Sequence, residues 1–147
     1  MREPYQILAI PYRIVDGTPL FCIFRRADSN IWQFIAGGVE NGETQFEAAK
    51  RETIEEMGVE PKNIKQLTCI AYVPAEVIAE SRQQHWDKNT FVIPEYSFAF
   101  EWELEPLLSN EHTEYKWLTY DEARKLLKWD SNKVAMYEID SIIKGNL

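Results

Sequence analysis

Glu52, Glu55 and Glu56 carry the densest chemistry of the chain, in the stretch Gly37–Val59 that reads GGVENGETQFEAAKRETIEEMGV. Spaced i, i+3 and i+4, they share one face if the segment is helical. Local signals predict a helix over about Gln45–Met57. Thr44 with Glu47 three residues on reads as a capping box, and Gly58 stands where a C-terminal glycine cap belongs. On such a helix the acids are misplaced. Like charges at this spacing cost about 0.2–0.5 kcal/mol per pair, and Glu55 and Glu56 fall in the last turn, where the macrodipole disfavours anions. A hard divalent cation held by oxygen ligands turns that repulsion into binding, and Mg²⁺ typically takes few carboxylates together with substrate phosphates. Taken alone, REXXEE reads more simply as a solvated acidic face.

It does not stand alone. Gly37, Glu43 and Arg51 upstream complete the pattern G-x5-E-x7-R-E-U-x-E-E-x-G-U, where U is a bulky aliphatic residue. From average composition, its fixed positions coincide by chance at on the order of one in 10⁸ starting points. The pattern resembles the Nudix box, the signature of the Nudix hydrolases. One position departs from it: Thr53 stands where the family usually carries Ile, Leu or Val, which touches a packing contact rather than a ligand, while Val59 satisfies the last aliphatic position. The resemblance implies that the Gly37 carbonyl and the carboxylates of Glu52, Glu55 and Glu56 bind Mg²⁺ or Mn²⁺. It also implies that Arg51 orients Glu52 and that Glu43 braces the loop against the helix. The residue chemistry agrees, since arginine offers a rigid fork of donors suited to a carboxylate. A glycine pair, likewise, lets backbone approach a metal with no side chain between.

Further groups could join this site. Glu111 and His112 precede a W-L strand in SNEHTEYKWLTYDEA. Several Nudix hydrolases resemble this, with an acid outside the box that contacts metal or activates water, a role that falls here to Glu111. For His112 a hydrogen-bonding loop histidine is the simpler reading, and His85 is a weaker candidate for touching substrate. Arg25 and Arg26 end a strand, and alternation points them to opposite faces. One of them, with Arg26 favoured, could meet substrate phosphates. Trp32 and Phe34 could pack under the loop or stack a base, with core packing favoured for Phe34. Trp86, in a polar loop, is the better stacking candidate.

The elements that must hold these groups follow from pattern. Tyr5–Val15 is apolar and β-prone, Asp16-Gly17 signals a turn, and Leu20–Arg26 reads as the second strand of a hairpin. A loop at Asp28-Ser29-Asn30 leads through Trp32-Gln33-Phe34 to the glycine pair. Strands follow at about Gln66–Val73 and Tyr96–Glu103, the latter with aromatic residues alternating at a period of two. Pro74–Pro94 reads as a long loop, with a partly helical course as the alternative, and long loops in compact domains are often functional. Tyr115–Leu118 is a short strand, Thr119 with Glu122 opens a helix to about Lys128, and a last helix runs from about Asn132 to Lys144. The order indicates a mixed α/β (α+β) sandwich. The resemblance specifies the Nudix fold, a mixed β-sheet between α-helices, over 1–147 as one domain.

The whole-chain figures limit the function. At 147 residues, 45% hydrophobic and 13% aromatic, the chain can bury a substantial core. A net charge of −8 argues against binding nucleic-acid polymers through their backbone. No apolar run approaches the length of a membrane span, and the N-terminus lacks the features of a signal peptide. Cys22 and Cys69 read as buried free thiols, which fits a cytoplasmic setting. A homodimer is compatible with the sequence and is not legible in it.

A narrower resemblance runs through WQFIAGGVENGE, EYKWLTYDEA and KWDSNKVAMYEI, towards the dATP and dihydroneopterin-triphosphate pyrophosphohydrolase branch. It implies hydrolysis of a nucleoside or pterin triphosphate to monophosphate and pyrophosphate, with Glu52 or Glu111 as the base. The same machinery would serve dinucleoside polyphosphates, nucleotide sugars or RNA 5′ ends. A nucleotide-sensing domain without turnover is the alternative of another class, and the intact acids argue against it.

Overall fold

The N-terminal apolar run forms a strand longer than its core pattern. In the computed structural model, which describes residues 2–58, 60–78 and 82–146, β1 spans Arg2–Val15 and turns at Asp16-Gly17 into β2, Thr18–Arg26. Both turn residues have positive φ, 51° and 79°. That is the backbone a two-residue hairpin needs to match strand twist. Val15 pairs with Thr18 at its end.

β3 (Trp32–Gln33) returns along β2, and β4 (Ile35–Glu40) then crosses to pair with β1, Gly37 opposite Ile7 and Gly38 opposite Gln6. The glycine pair therefore sits in a strand, not in a loop. Since β2 takes the other half of the same β1 edge, the sheet forks there. On the opposite edge β6 (Val92–Glu101) runs parallel to β1 and β5 (Lys65–Pro74) pairs with β6, while β7 (His112–Leu118) lies beside β2.

Helix α1 (Gln45–Met57) carries both features read from its ends, a complete Thr44–Glu47 capping box and Gly58 at φ 80°. Val59 lies outside the described residues. The second capping box, Thr119 with Glu122, opens α2 (Tyr120–Leu126), and α3 spans Asp130–Gly145.

The sheet is covered on both faces, and this reshapes the expected alternation. Leu8, Ile10 and Ala99 pack with Ala135, Met136 and Ile139 of α3. Ile7 and Phe98 pack under Ala48 and Ala49 of α1, and Ala9 and Phe100 pack with Met57. Phe98 and Ala99 are thus both fully buried, on opposite faces. Phe34 is core as well, at 0% exposure. Cys22 is buried and Cys69 only half-buried, both as free thiols. They pack against different core clusters on the two sides of the sheet.

The expected loop Pro74–Pro94 is shorter than its sequence suggested, because β5 and β6 extend into it as far as the pair Pro74 and Val92. A 3₁₀ turn at Ala75–Val77 follows β5, and Gln83 Nε2 ties the connection down by donating to the Ala75 and Ile78 carbonyls, each at 2.7 Å. Among the described residues, no helix is long and apolar enough to cross a membrane.

Candidate active site

The fork between β4 and β2 opens a cleft of about 950 Å³. β4 and α1 contribute Gly37, Gly38, Arg51, Glu52 and Glu55; the end of β2 contributes Arg26, and the segments after β2 and before β7 contribute Asp28 and Glu111. β6 and the start of α3 add Glu95, Ser131 and Asn132, with Trp129 and Gln33 beside them.

Arg51 organises the acidic wall. Its guanidinium donates to both Glu43 oxygens (2.8 and 3.0 Å), to Glu52 Oε1 at 2.9 Å, to Glu55 Oε1 at 3.4 Å and to the Gly38 carbonyl at 2.9 Å. Glu43 also accepts from the Glu40 N–H at 2.8 Å, so one ion pair joins the β4–α1 connection to the helix. The Arg51 hydrogen bonds hold the Glu43 carboxyl below its ordinary range, and Glu43 raises Arg51 in return. The Glu52 carboxylate lies across Gly37, where any Cβ would overlap it. That close approach is the reason for glycine here.

The three helix acids have different environments. Glu52 is 8% exposed, and burial, then the neighbouring Glu55 charge, push its carboxyl up to about 7. Glu55 is open to the cleft. Glu56 is buried and is not part of the cleft lining. It accepts from the Ser109 hydroxyl and from the Ser109 N–H at 3.3 Å, and His112 Nδ1 lies 3.0 Å from its Oε1. Burial pushes the Glu56 carboxyl up, but His112 and Ser109 outweigh it and hold it below the usual range. His112 is accordingly a buried residue opening β7, its ring tilted 43° to that of Phe24 with centroids 5.3 Å apart, rather than a loop histidine.

Glu56, Glu111 and His112 bring ligand atoms within 4.8 Å of one another, so residues distant in sequence form an acidic cluster able to hold a metal. The donors fit a divalent cation. Carboxylate oxygens predominate, as Mg²⁺ requires, and the imidazole is a ligand Mn²⁺ also accepts.

Four residues considered for substrate contact lie outside the cleft lining. Arg25 is absent from the cleft lining and pairs with Glu114 at 3.0 Å and with Asn30. Trp32 packs against the α3-side core, with Lys116 Nζ 5.1 Å over its ring. Trp86 donates its indole N–H to the Arg2 carbonyl at 2.8 Å and is only half-buried, outside the lining. Its neighbour His85 is also outside it. Arg26 does line the cleft, paired with Asp28 at 2.9 and 2.8 Å; this holds the exposed Asp28 carboxyl down at about 2.

Among the described residues, the aromatic side chain lining the cleft is Trp129, whose indole N–H donates to Gln33 Oε1 at 3.2 Å. Asn132 accepts from the Phe34 N–H at 2.9 Å. Neither was assigned a role from sequence, although both lie in the KWDSN stretch of the narrower resemblance. A separate groove of about 620 Å³ between β5 and α3 contains one acid, Glu138. That acid is already satisfied by the Thr68 and Cys69 N–H groups at 2.7 and 2.8 Å.

Residues 11–138 match the NUDIX domain. The dihydroneopterin triphosphate diphosphatase of Escherichia coli is 30% identical over 138 residues, 92% of this chain and 91% of the relative. The asymmetrical bis(5′-nucleosyl)-tetraphosphatase of Sus scrofa is 32% identical over 126 residues, 84% of this chain and 81% of the relative. A crystal structure from Listeria monocytogenes, assigned to the NUDIX hydrolases, superposes with a TM-score of 0.86 at 36% identity. That match covers 98% of this chain and 97% of the other.

Proposed function

The chain belongs to the NUDIX family, an enzyme acting on phosphoanhydride bonds, and on that premise we propose that it splits a nucleoside or pterin triphosphate into monophosphate and pyrophosphate. The observation that carries this reading is the shared cleft. Gly37, Glu52, Glu55 and Glu111 line the same cavity as Arg26, Trp129 and a set of hydrogen-bonding side chains suited to a heterocycle. Residues 1–147 act as one domain in this reading. Its setting is cytoplasmic, which the two free thiols support.

Glu52, Glu55, Glu56, Glu111 and the Gly37 carbonyl would hold Mg²⁺ or Mn²⁺. Bound by these residues, the cation would supply positive charge against the substrate phosphates and lower the pKa of a water. Glu52 or Glu111 takes the proton from the attacking water. Arg51 is committed to Glu43, Glu52 and Gly38, so it orients Glu52 and leaves phosphate binding to Arg26. The Arg26–Asp28 pair is exposed and therefore weak enough to exchange for a phosphate oxygen. Trp129 stands where a base would stack.

Incubation with Mg²⁺ and a panel of nucleotides should release pyrophosphate rather than phosphate. Glu55→Gln and Glu56→Gln should each lower turnover by about a hundredfold or more with the fold intact. Near-native activity in either variant overturns the metal assignment. Tight nucleotide binding with no turnover of any substrate would instead identify a sensor. The panel includes a dinucleoside tetraphosphate, because the similarity to the Sus scrofa tetraphosphatase supports hydrolysis of such compounds as a second reading.

A further inference from the structure

Among the described residues, Glu95 is the buried acid of the cleft that the phosphate chemistry does not use. It sits on β6 opposite Gln6 of β1, is 2% exposed and lines the cleft. Its Oε2 accepts from Gln6 Nε2 at 2.6 Å, whereas its Oε1 is buried with no hydrogen-bond partner. No lysine or arginine among the described residues forms an ion pair with it. A buried acceptor left unmet is costly, and such groups in folded proteins call for an explanation. Burial pushes this carboxyl up, with Gln6 and Ser131 pulling it partly back.

A complementary orphan lies close by. Gln6 also accepts from Arg2 at 3.0 Å, and Arg2 Nε is likewise buried without a partner. One glutamine thus bridges two residues lining the cleft, each of which keeps a different buried atom unmet, Glu95 Oε1 and Arg2 Nε. The ligand that satisfies both presents N–H donors to the carboxylate and a carbonyl acceptor nearby.

We propose that Glu95 determines base specificity, its carboxylate reading the adjacent ring N–H and exocyclic amino group of a 2-amino-4-oxo heterocycle, guanine or a pterin. The assignment rests on the triphosphate reading above and names the heterocycle that the cleft takes. Two parallel N–H groups on such an edge imitate the fork with which arginine binds a carboxylate. Other bases fail at this position. Adenine and cytosine set a ring-nitrogen acceptor beside their amino group, and thymine flanks one N–H with two carbonyls. Each would aim a lone pair at a carboxylate oxygen, and unmatched polar edges are rejected strongly in desolvated pockets.

The test is equilibrium binding, in Mg²⁺, of the guanosine, inosine and adenosine 5′-(α,β-methylene)triphosphates, which resist cleavage. Inosine keeps the ring N–H and the carbonyl and lacks the amino group. Guanosine should bind about tenfold tighter than inosine and about a hundredfold tighter than adenosine. Glu95→Gln, which replaces one acceptor with a donor, should bring the three within about threefold of one another. Its affinity for the adenosine compound should rise, because the amide N–H meets the ring nitrogen that the carboxylate repels. Equal affinities in the wild-type protein overturn the assignment without any variant, and so does a preference that survives Glu95→Gln. Binding needs no turnover, so the two readings fail separately. A graded series without pyrophosphate release sinks the reaction and keeps Glu95, and pyrophosphate release with a flat series does the opposite.

Discussion

Glu52 and Glu56 lie one helical turn apart, yet their surroundings drive their carboxyls in opposite directions. Glu52 is buried beside another acid and rises to about 7 from 4.5. Glu56 is held down by His112 and Ser109. The raised group has a consequence for stability in the metal-free protein. Between pH 4.5 and about 7 the folded chain keeps a proton on Glu52 that the unfolded chain has released. The destabilising contribution is therefore absent below this window, grows as pH rises through it and is complete above it. Denaturant midpoints of the metal-free wild type should fall relative to those of Glu52→Gln over that range. Saturating Mg²⁺ should remove the difference. A constant offset between the two proteins across the window would refute the titration.

At the scale of elements, local chemistry carried far. Both capping boxes and the glycine cap of α1 form as their residues indicate, because each depends on groups within four residues. The departure at Thr53 also has a structural counterpart. Its side chain is fully buried and its Oγ1 has no hydrogen-bond partner, where an aliphatic residue would leave nothing unmet. Thr53→Val should stabilise the protein by about 1 kcal/mol, a rise in Tm of about 3 °C. Calorimetry showing a lower Tm would mean the hydroxyl has a partner. Other elements were less legible. The glycine pair looked like a loop because glycine is poor in strands, but β4 needs glycine where Glu52 lies across it. The aromatic alternation of β6 suggested one buried face, and two-sided cover buried both.

At the scale of the molecule, the cleft depends on contacts between segments about a hundred residues apart. Asn132 at the start of α3 accepts the Phe34 N–H just before β4, tying the wall that carries Trp129 to the strand that carries Gly37. Asn132→Ala leaves that buried N–H unmet and should cost about 2 kcal/mol, read as a lower urea midpoint with an unchanged slope. A midpoint within error of wild type would show that the two walls are held by other means.

The sequence by itself determined the end of the site proposed to react. The box residues lie within one strand–helix unit, so their spacing already places them together, and the family follows from that spacing. Only the tertiary structure decided which groups face them. Arg25 and Trp32 turn to other surfaces, Trp86 ties a connection to β1, and Glu56 meets His112 and Glu111. Glu95, Trp129 and Asn132 arrive from strands and helices whose position depends on the fork in the sheet. No local pattern encodes such meetings, because they arise from long-range pairing and from burial on both faces.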